Sequence, residues 1–482
     1  MIIRKISFGV SAVVILVGSG FATPPFAVES GLFNQDAAEL GLTIAPDVKT
    51  VTVYTPTATS DHYSNGAVMI GFKGKLYCQW QSSAVHEDSS DTWVAYSIGE
   101  ITIDAYGNQV EIWSAPKILA ATMNNGYRTG GGWIVYKDTL IAFINEWPDN
   151  LNNPRGGLAY YRESIDGINW SELKPVLMKD GSQIQGIFEQ DPHEYDGRLY
   201  NAAHMQPGLL ATPIYTDDLS GRTGWIKPNF TNLDHSGNNS RELEPSLFKN
   251  GDGHIVMIFR DQNSTYTKLA SISKDKGVTW SKAEQTNFPD SRAKQSAGNL
   301  PDGSVYFASN PRNINKRYPL SITLSDDGKT FTRAYNLRTE AELPARIYEG
   351  KAKTIGYSYP KSTIAGNYLY VVYSTNKEHI EYSRIPLQNI CDYTPPINSD
   401  TLQVAEIDTL QATKIEPMHT TDSDTLQAVD AKTPQTTRIK DYTRFDTPRN
   451  VNHLYKIYDS KGRFTGSRQE KPTNIRKGLF VK

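Results

Sequence analysis

Ser273-Lys-Asp275-Lys-Gly277-Val-Thr279-Trp280 is the stretch whose reading decides the fold. Its serine and aspartate can hydrogen-bond their own backbone, its glycine supplies a positive φ, and its tryptophan can fold back beneath the turn. Two shorter copies occur, Ser164-Ile-Asp166-Gly167-Ile-Asn-Trp170 and Ser325-Asp-Asp327-Gly328-Lys-Thr330-Phe331, and a degenerate fourth runs from Asp217 to Trp225. Each of the three full copies ends an alternating strand: KLASISKD, GLAYYRES and PLSITLSD. A single Asp-Gly turn before an aromatic is common in hairpins. Its recurrence at a period of roughly fifty residues marks the blades of a β-propeller.

Working outward from these turns, strand pairs separated by glycine-containing turns recur at 67–80 (AVMIGFKGKLYCQW), 132–144, 188–204, 244–260, 296–309 and 358–374. Each pair is followed by a third strand, so six modules are counted in an all-β ring spanning 45–390. The strand KTVTVY at 49–54 is placed to complete the last blade from the N-terminal side, which closes the ring and removes its free edges.

The flanks differ in character. Residues 1–29 carry Arg4 and Lys5, an apolar run to about Val17 and then small residues, the pattern of a secretory signal peptide, with a run too short to span a bilayer. The expectation is a secreted or periplasmic protein with no membrane span; no cysteine follows the apolar run to carry a lipid. Residues 391–442 are rich in Thr, Asp, Gln and Pro, with Asp-Thr-Leu-Gln at 400, 408 and 424, and read as a flexible linker. Residues 443–482 return to strand, turn, strand as a small C-terminal β-appendage. A formal charge of -2 gives no electrostatic footprint for nucleic acid. A polar ligand is the default, no cofactor is required, and a monomer is expected. In an oxidising compartment Cys78 and Cys391 either form a disulfide across the ring or remain two free thiols.

From Glu244 to Pro386 the chain resembles the sialidase (BNR, Asp-box) superfamily, through ELEPSLFKNGDGHIVMIFRD, SISKDKGVTWS, LPDGSVYFAS, RYPLSITLSDDGKTF, GYSYPKS and HIEYSRIPL in that order. The resemblance implies Tyr359 as nucleophile, Glu244 as the glutamate that activates it, and Arg260 and Arg317 as two of three carboxylate-binding arginines. The third, expected in the first blade, is replaced by His62 in SDHYSNGAVMIGF, and loss of one arm of such a clamp weakens carboxylate binding. Asp-box aspartates are peripheral in this family, so Asp166, Asp275 and Asp327 are not catalytic candidates.

Over about 55–390 the chain also looks like the propellers that act on uronate glycans: rhamnose-glucuronate lyases, ulvan lyases and a related α-L-rhamnosidase family. That likeness implies seven blades, His62 and His86 with Tyr127 or Tyr160 as proton-transfer groups, and Arg128 as neutraliser of the uronate. Elimination needs a base of near-neutral pKa and a cation for the enolate charge, and histidine has that pKa without tuning. Two features depart from the pattern: a His62-Tyr63 pair stands in place of two histidines, and His86 lies a few residues farther along. The first expectation is therefore a polysaccharide lyase on rhamnose-glucuronate linkages. The alternatives are a hydrolase of the same superfamily, sialidase-like or rhamnosidase-like, and a glycan-binding propeller without turnover. His86-Glu87-Asp88 could instead hold a structural calcium, since hard oxygen ligands suit it. His193 and His204 flank one hairpin, in the core or at the rim, and His254 lies on a surface turn.

Overall fold

The computed structural model describes residues 23–104, 109–152, 154–189, 191–236, 240–263 and 265–395, with two further strands, His453–Tyr458 and Phe464–Glu470. Residues 1–22 of the leader and most of the linker, 396–442, lie outside the described residues, and of the C-terminal appendage only those two paired strands are described.

Six sheets follow one another along the chain, each packed on its sequence neighbours, and the sixth packs on the first. Their innermost strands are Tyr63–Phe72, Gly126–Tyr136, Gly186–Phe188, Glu242–Lys249, Ser296–Asn299 and Tyr357–Ala365. Lys49–Tyr54 pairs antiparallel with His379–Pro386, so the sixth blade is completed from the N-terminal side. The ring is therefore a six-bladed propeller, and the seventh blade implied by the uronate-lyase likeness is not found among the described residues. Every blade beyond the first six modules would have needed its own strand pair.

The physical reason for the ring is visible in its core. Six apolar clusters occupy the six seams, each built from two neighbouring blades; Val68, Tyr96, Trp133 and Ile144, for example, fill the seam between the first and second. A blade is thus buried on both faces, which is why Ile255–Asp261 is buried at every position rather than alternating.

The repeated turns act as seals between blades. In the fourth blade Gly277 N–H donates to Ser273 Oγ at 2.7 Å, Thr279 N–H to Asp275 Oδ1 at 2.8 Å, and Trp280 Nε1 to the Gly277 carbonyl at 3.0 Å. A Cβ on Gly277 would lie 2.8 Å from Tyr200 of the third blade, one on Gly167 2.2 Å from Tyr77 of the first, and one on Gly328 2.9 Å from Phe248 of the fourth. Glycine is needed there for the positive φ and also because the turn presses on an aromatic of the preceding blade. The degenerate copy does the same: Gly221 faces Phe143, and Trp225 is fully buried.

Two sequence expectations are revised. Cys78 is buried in the seam between the sixth and first blades, Cys391 packs at the seam between the fifth and sixth, and both are free, so no disulfide ties the ring. Phe26, at the end of the proposed leader, is inserted among Phe248, Phe288, Phe307 and Phe331, and Ala27–Val28 pairs with Thr330–Phe331. Residues 26–29 are thus part of the folded ring. Cys391 to Pro395 likewise continue the propeller body rather than opening the linker.

Candidate functional site

Four inner strands carry a β-bulge, marked by register shifts at Asn65/Val68, Gly130/Gly132, Leu243/Ser246 and Ser358/Lys361. A bulge re-aims one side chain out of the strand. In the first two blades the left-handed residue is glycine, Gly66 (φ 62) and Gly132 (φ 111). In the fourth and sixth it is Glu244 (φ 49) and Tyr359 (φ 58), each followed by proline. A non-glycine residue in that region costs about 1–3 kcal/mol, and such strain gathers at functional sites.

Both face a cavity of about 200 Å³ at the ring mouth, to which all six blades contribute. Asn65, Gln81, Glu87 and Asp88 come from the first blade, Asn145, Trp147 and Arg155 from the second, Glu189 and His204 from the third, Glu244 from the fourth, Lys294 from the entry to the fifth, and Tyr359 and Lys361 from the sixth. Glu244 Oε2 accepts from Arg260 Nη1 at 2.7 Å, and Arg260 Nη2 donates to Gln262 at 2.6 Å. Burial pushes the Glu244 carboxyl up, but Arg260 first and Lys294 second more than reverse this, bringing it down to about 2. Burial, then the charge of Glu244, hold the Tyr359 hydroxyl well above its ordinary range, so it is protonated at neutral pH.

Three cations surround the Tyr359 ring: Arg317 at 5.1 Å, Lys377 at 5.1 Å and Lys294 at 5.6 Å. Lys377 is paired with Glu87 at 2.8 Å, and Lys294 with Glu189. Arg317, 7% exposed, donates to Ser358 Oγ at 3.0 Å, and no carboxylate pairs with it among the described residues. At the floor, Lys361 donates to the Glu189 carbonyl; burial above all, then Lys294, lower its pKa well below the usual lysine range. Beside it burial raises Asp191 to about 6, with Lys361 opposing.

The residues singled out in the sequence fall into two groups. Glu244 and Tyr359 line the mouth, and Arg260 and Arg317 lie behind them, the first paired with Glu244 and the second against the Tyr359 ring. The others do not line it. His62 stacks on Tyr348 (ring centroids 3.7 Å, 7°) and its Nε2 lies 3.1 Å from the Thr57 carbonyl. His86 is exposed, and its Nδ1 accepts the Lys351 amide at 2.9 Å. Both clasp the 346–353 loop against the first blade. Tyr127 is buried behind Trp147, stacked on it at 5.7 Å, with its hydroxyl bonded by Arg155. Arg128 is neutralised by Glu146 at 2.6 Å. Tyr160 sits on the third strand of its blade, Leu158–Ser164. The Glu87 and Asp88 carboxylates are engaged by Lys377 and Arg155, and no cluster of three metal-ligating side chains occurs among the described residues.

Lys294, Lys361, Lys377, Glu189, Asp88 and Arg155 were not singled out individually from the sequence. Lys361, two positions after Tyr359 on the same strand, was the one with a readable signal; the rest arrive from loops and turns that only ring closure brings together.

The BNR repeat-like domain model matches residues 74–371, more than half of the chain, and the chain belongs to that family. Among solved structures it is similar to a sialidase (TM-score 0.52, 18% identity), covering 76% of this chain and 35% of the other, so the chain spans about a third of that protein. A Dyadobacter fermentans protein of unknown function is similar at TM-score 0.53 and 17% identity, over 71% of this chain and 99% of its own. A variant of the NanB sialidase from Streptococcus pneumoniae follows at TM-score 0.50 and 13% identity, over 70% and 71%. At these identities the likeness speaks for the fold. No curated protein matches.

Proposed function

We propose that the protein is an exported glycosidase that releases a terminal acidic sugar from a glycan, with Tyr359 as nucleophile and Glu244 as its base. The observation that carries this reading is Arg317: a buried guanidinium over the nucleophile's ring, with no carboxylate partner among the described residues, is suited to receive a ligand carboxylate. A neutral phenol suits a sugar that already bears a carboxylate beside the reacting carbon, because an anionic nucleophile would be repelled. Tyr359 Oη attacks the anomeric carbon while its proton passes to Glu244, and the departing oxygen takes a proton from water in the cavity. The hydroxide so formed opens the glycosyl-tyrosine bond, and Glu244 returns the proton to Tyr359.

Elimination is the weaker reading, because the histidines it relied on lie outside the mouth wall. A panel of sialosides and uronate glycans, read together for free sugar and for ultraviolet-absorbing unsaturated product, separates the two. Free acidic sugar is the expected result, with KM raised ~10–100-fold in Arg317→Met, the worth of a charge-assisted hydrogen bond. Unsaturated product without free sugar would establish the lyase, and binding without product a lectin-like propeller. Export is part of the same proposal, and because Phe26 is a core residue, the leader is expected to end between Ala22 and Thr23, after small residues at 20 and 22. N-terminal sequencing of secreted protein checks this; a start beyond Phe26 would contradict it.

A further inference from the structure

We infer that His204 is a positioning residue for this site: in its neutral form, with the proton on Nδ1, it holds the backbone amide of Glu244 and so the bulge that aims that carboxylate at Tyr359. The catalytic consequence rests on the function proposed above; the structural claim does not. His204 lies on Arg198–Met205 of the third blade and is 2% exposed. The Glu244 N–H donates to His204 Nε2 at 3.0 Å. An amide only donates, so Nε2 carries the lone pair and the ring proton sits on Nδ1, 3.2 Å from Glu189 Oε1. Glu189 is fixed in turn by Lys294, and its carbonyl by Lys361.

The need for such a hold follows from the bulge. Leu243 pairs with Arg260 and Ser246 with Ile258, so the ladder skips Glu244. Its amide finds His204 instead, and its carbonyl accepts from Gln295 Nε2 at 2.8 Å. Both polar atoms of a left-handed residue are therefore pinned by side chains from neighbouring blades. Protonating His204 would turn Nε2 into a donor facing a donor, and the left-handed peptide would lose its tether.

The charged groups around His204 are Glu189 and Asp191 on its own blade, Glu244 with Arg260 on the fourth, Lys294 at the fifth, and Lys361 on the sixth. Glu244 and Glu189 are both held low by their cations, so neither titrates near neutrality. Asp191 is the competitor in that range and needs its own control.

The test uses the full chain with His204→Gln, His204→Leu and Asp191→Asn. Glutamine can accept at one end and donate at the other but cannot take up a proton. Amide exchange at Glu244, followed by mass spectrometry, should stay slow in wild type and His204→Gln and rise ~10-fold or more in His204→Leu. On the substrate found in the panel, His204→Leu should lose ~100-fold in kcat with KM changed less than ~3-fold, as expected for a misaimed group. His204→Gln should keep kcat within ~10-fold, and Asp191→Asn should leave Glu244 exchange as slow as in wild type. Unaltered Glu244 exchange in folded His204→Leu, or exchange in His204→Gln as fast as in His204→Leu, overturns the inference. Absence of turnover on every glycan would remove the proposed function, and the exchange measurements would still decide this one. Should His204→Leu not fold, the wild-type exchange profile and His204→Gln decide it.

Discussion

The inner strands of the first two blades and those of the fourth and sixth all carry a bulge, yet differ in the residue that takes the left-handed conformation there. Gly66 and Gly132 adopt the left-handed conformation at no steric cost, whereas Glu244 and Tyr359 adopt it against their side chains. The bulge is thus a general device of this ring. Where the bent position bears a functional side chain, the protein surrounds it with ion pairs and side-chain hydrogen bonds; where it does not, glycine suffices. The difference teaches that strain here follows the site and not the fold.

The largest effect expected from breaking this contrast is on Tyr359. Changing it to phenylalanine keeps the ring among its three cations and removes only the hydroxyl, so kcat should fall ~10³-fold or more, about 4 kcal/mol of barrier, with the melting curve unchanged. A loss under tenfold would remove Tyr359 as nucleophile. Next comes Glu244→Ala, which leaves Arg260 buried without its carboxylate and should destabilise by ~3–5 kcal/mol in denaturant titrations. The pH dependence has a fixed sign. Because the folded carboxyl titrates at about 2, below its ordinary 4.5, its stabilisation is complete above pH 4.5 and is lost as pH falls through about 2. Acid unfolding of Glu244→Gln should lack that component.

On the glycine side, Gly132→Ala should cost roughly 2–3 kcal/mol, since a Cβ would sit 2.2 Å from Asp191 Oδ1 at φ 111. Gly66→Asn should stay within about 0.5 kcal/mol: the nearest atom is 4.0 Å away, and asparagine tolerates φ 62. Equal costs at the two positions would dissolve the distinction between a bend with room and a bend that a neighbour fills. Smallest in activity is His62→Ala, expected to lose the Tyr348 stack, ~0.5–1.5 kcal/mol of stability, while kcat stays within ~3-fold. A hundredfold loss there would return His62 to the catalytic list and revive elimination.

What could be read in the chain was whatever a local stretch dictates. The Asp-Gly-aromatic turns announced blades, six strand pairs counted them, and KTVTVY was placed as the closing strand; the bends at Glu244 and Tyr359 were not read there. The histidines misled because pKa suitability is a property of the residue type, while access to the mouth is a property of the ring. His62 and His86 are spent holding a loop, and His204, given no role from sequence, lies beneath Glu244.

Sequence by itself determined the repeat and placed its closing strand, with six modules counted against seven implied by the uronate-lyase likeness, because turn chemistry and strand patterning act over a few residues. Only the tertiary structure decided which charges meet: Arg317 on Ser358 with no carboxylate among the described residues, Lys377 against Glu87, Glu189 between Lys294 and His204. Those groups lie up to 290 residues apart, as with Glu87 and Lys377. Their electrostatics depend on separation and burial in space, which no interval along the chain encodes.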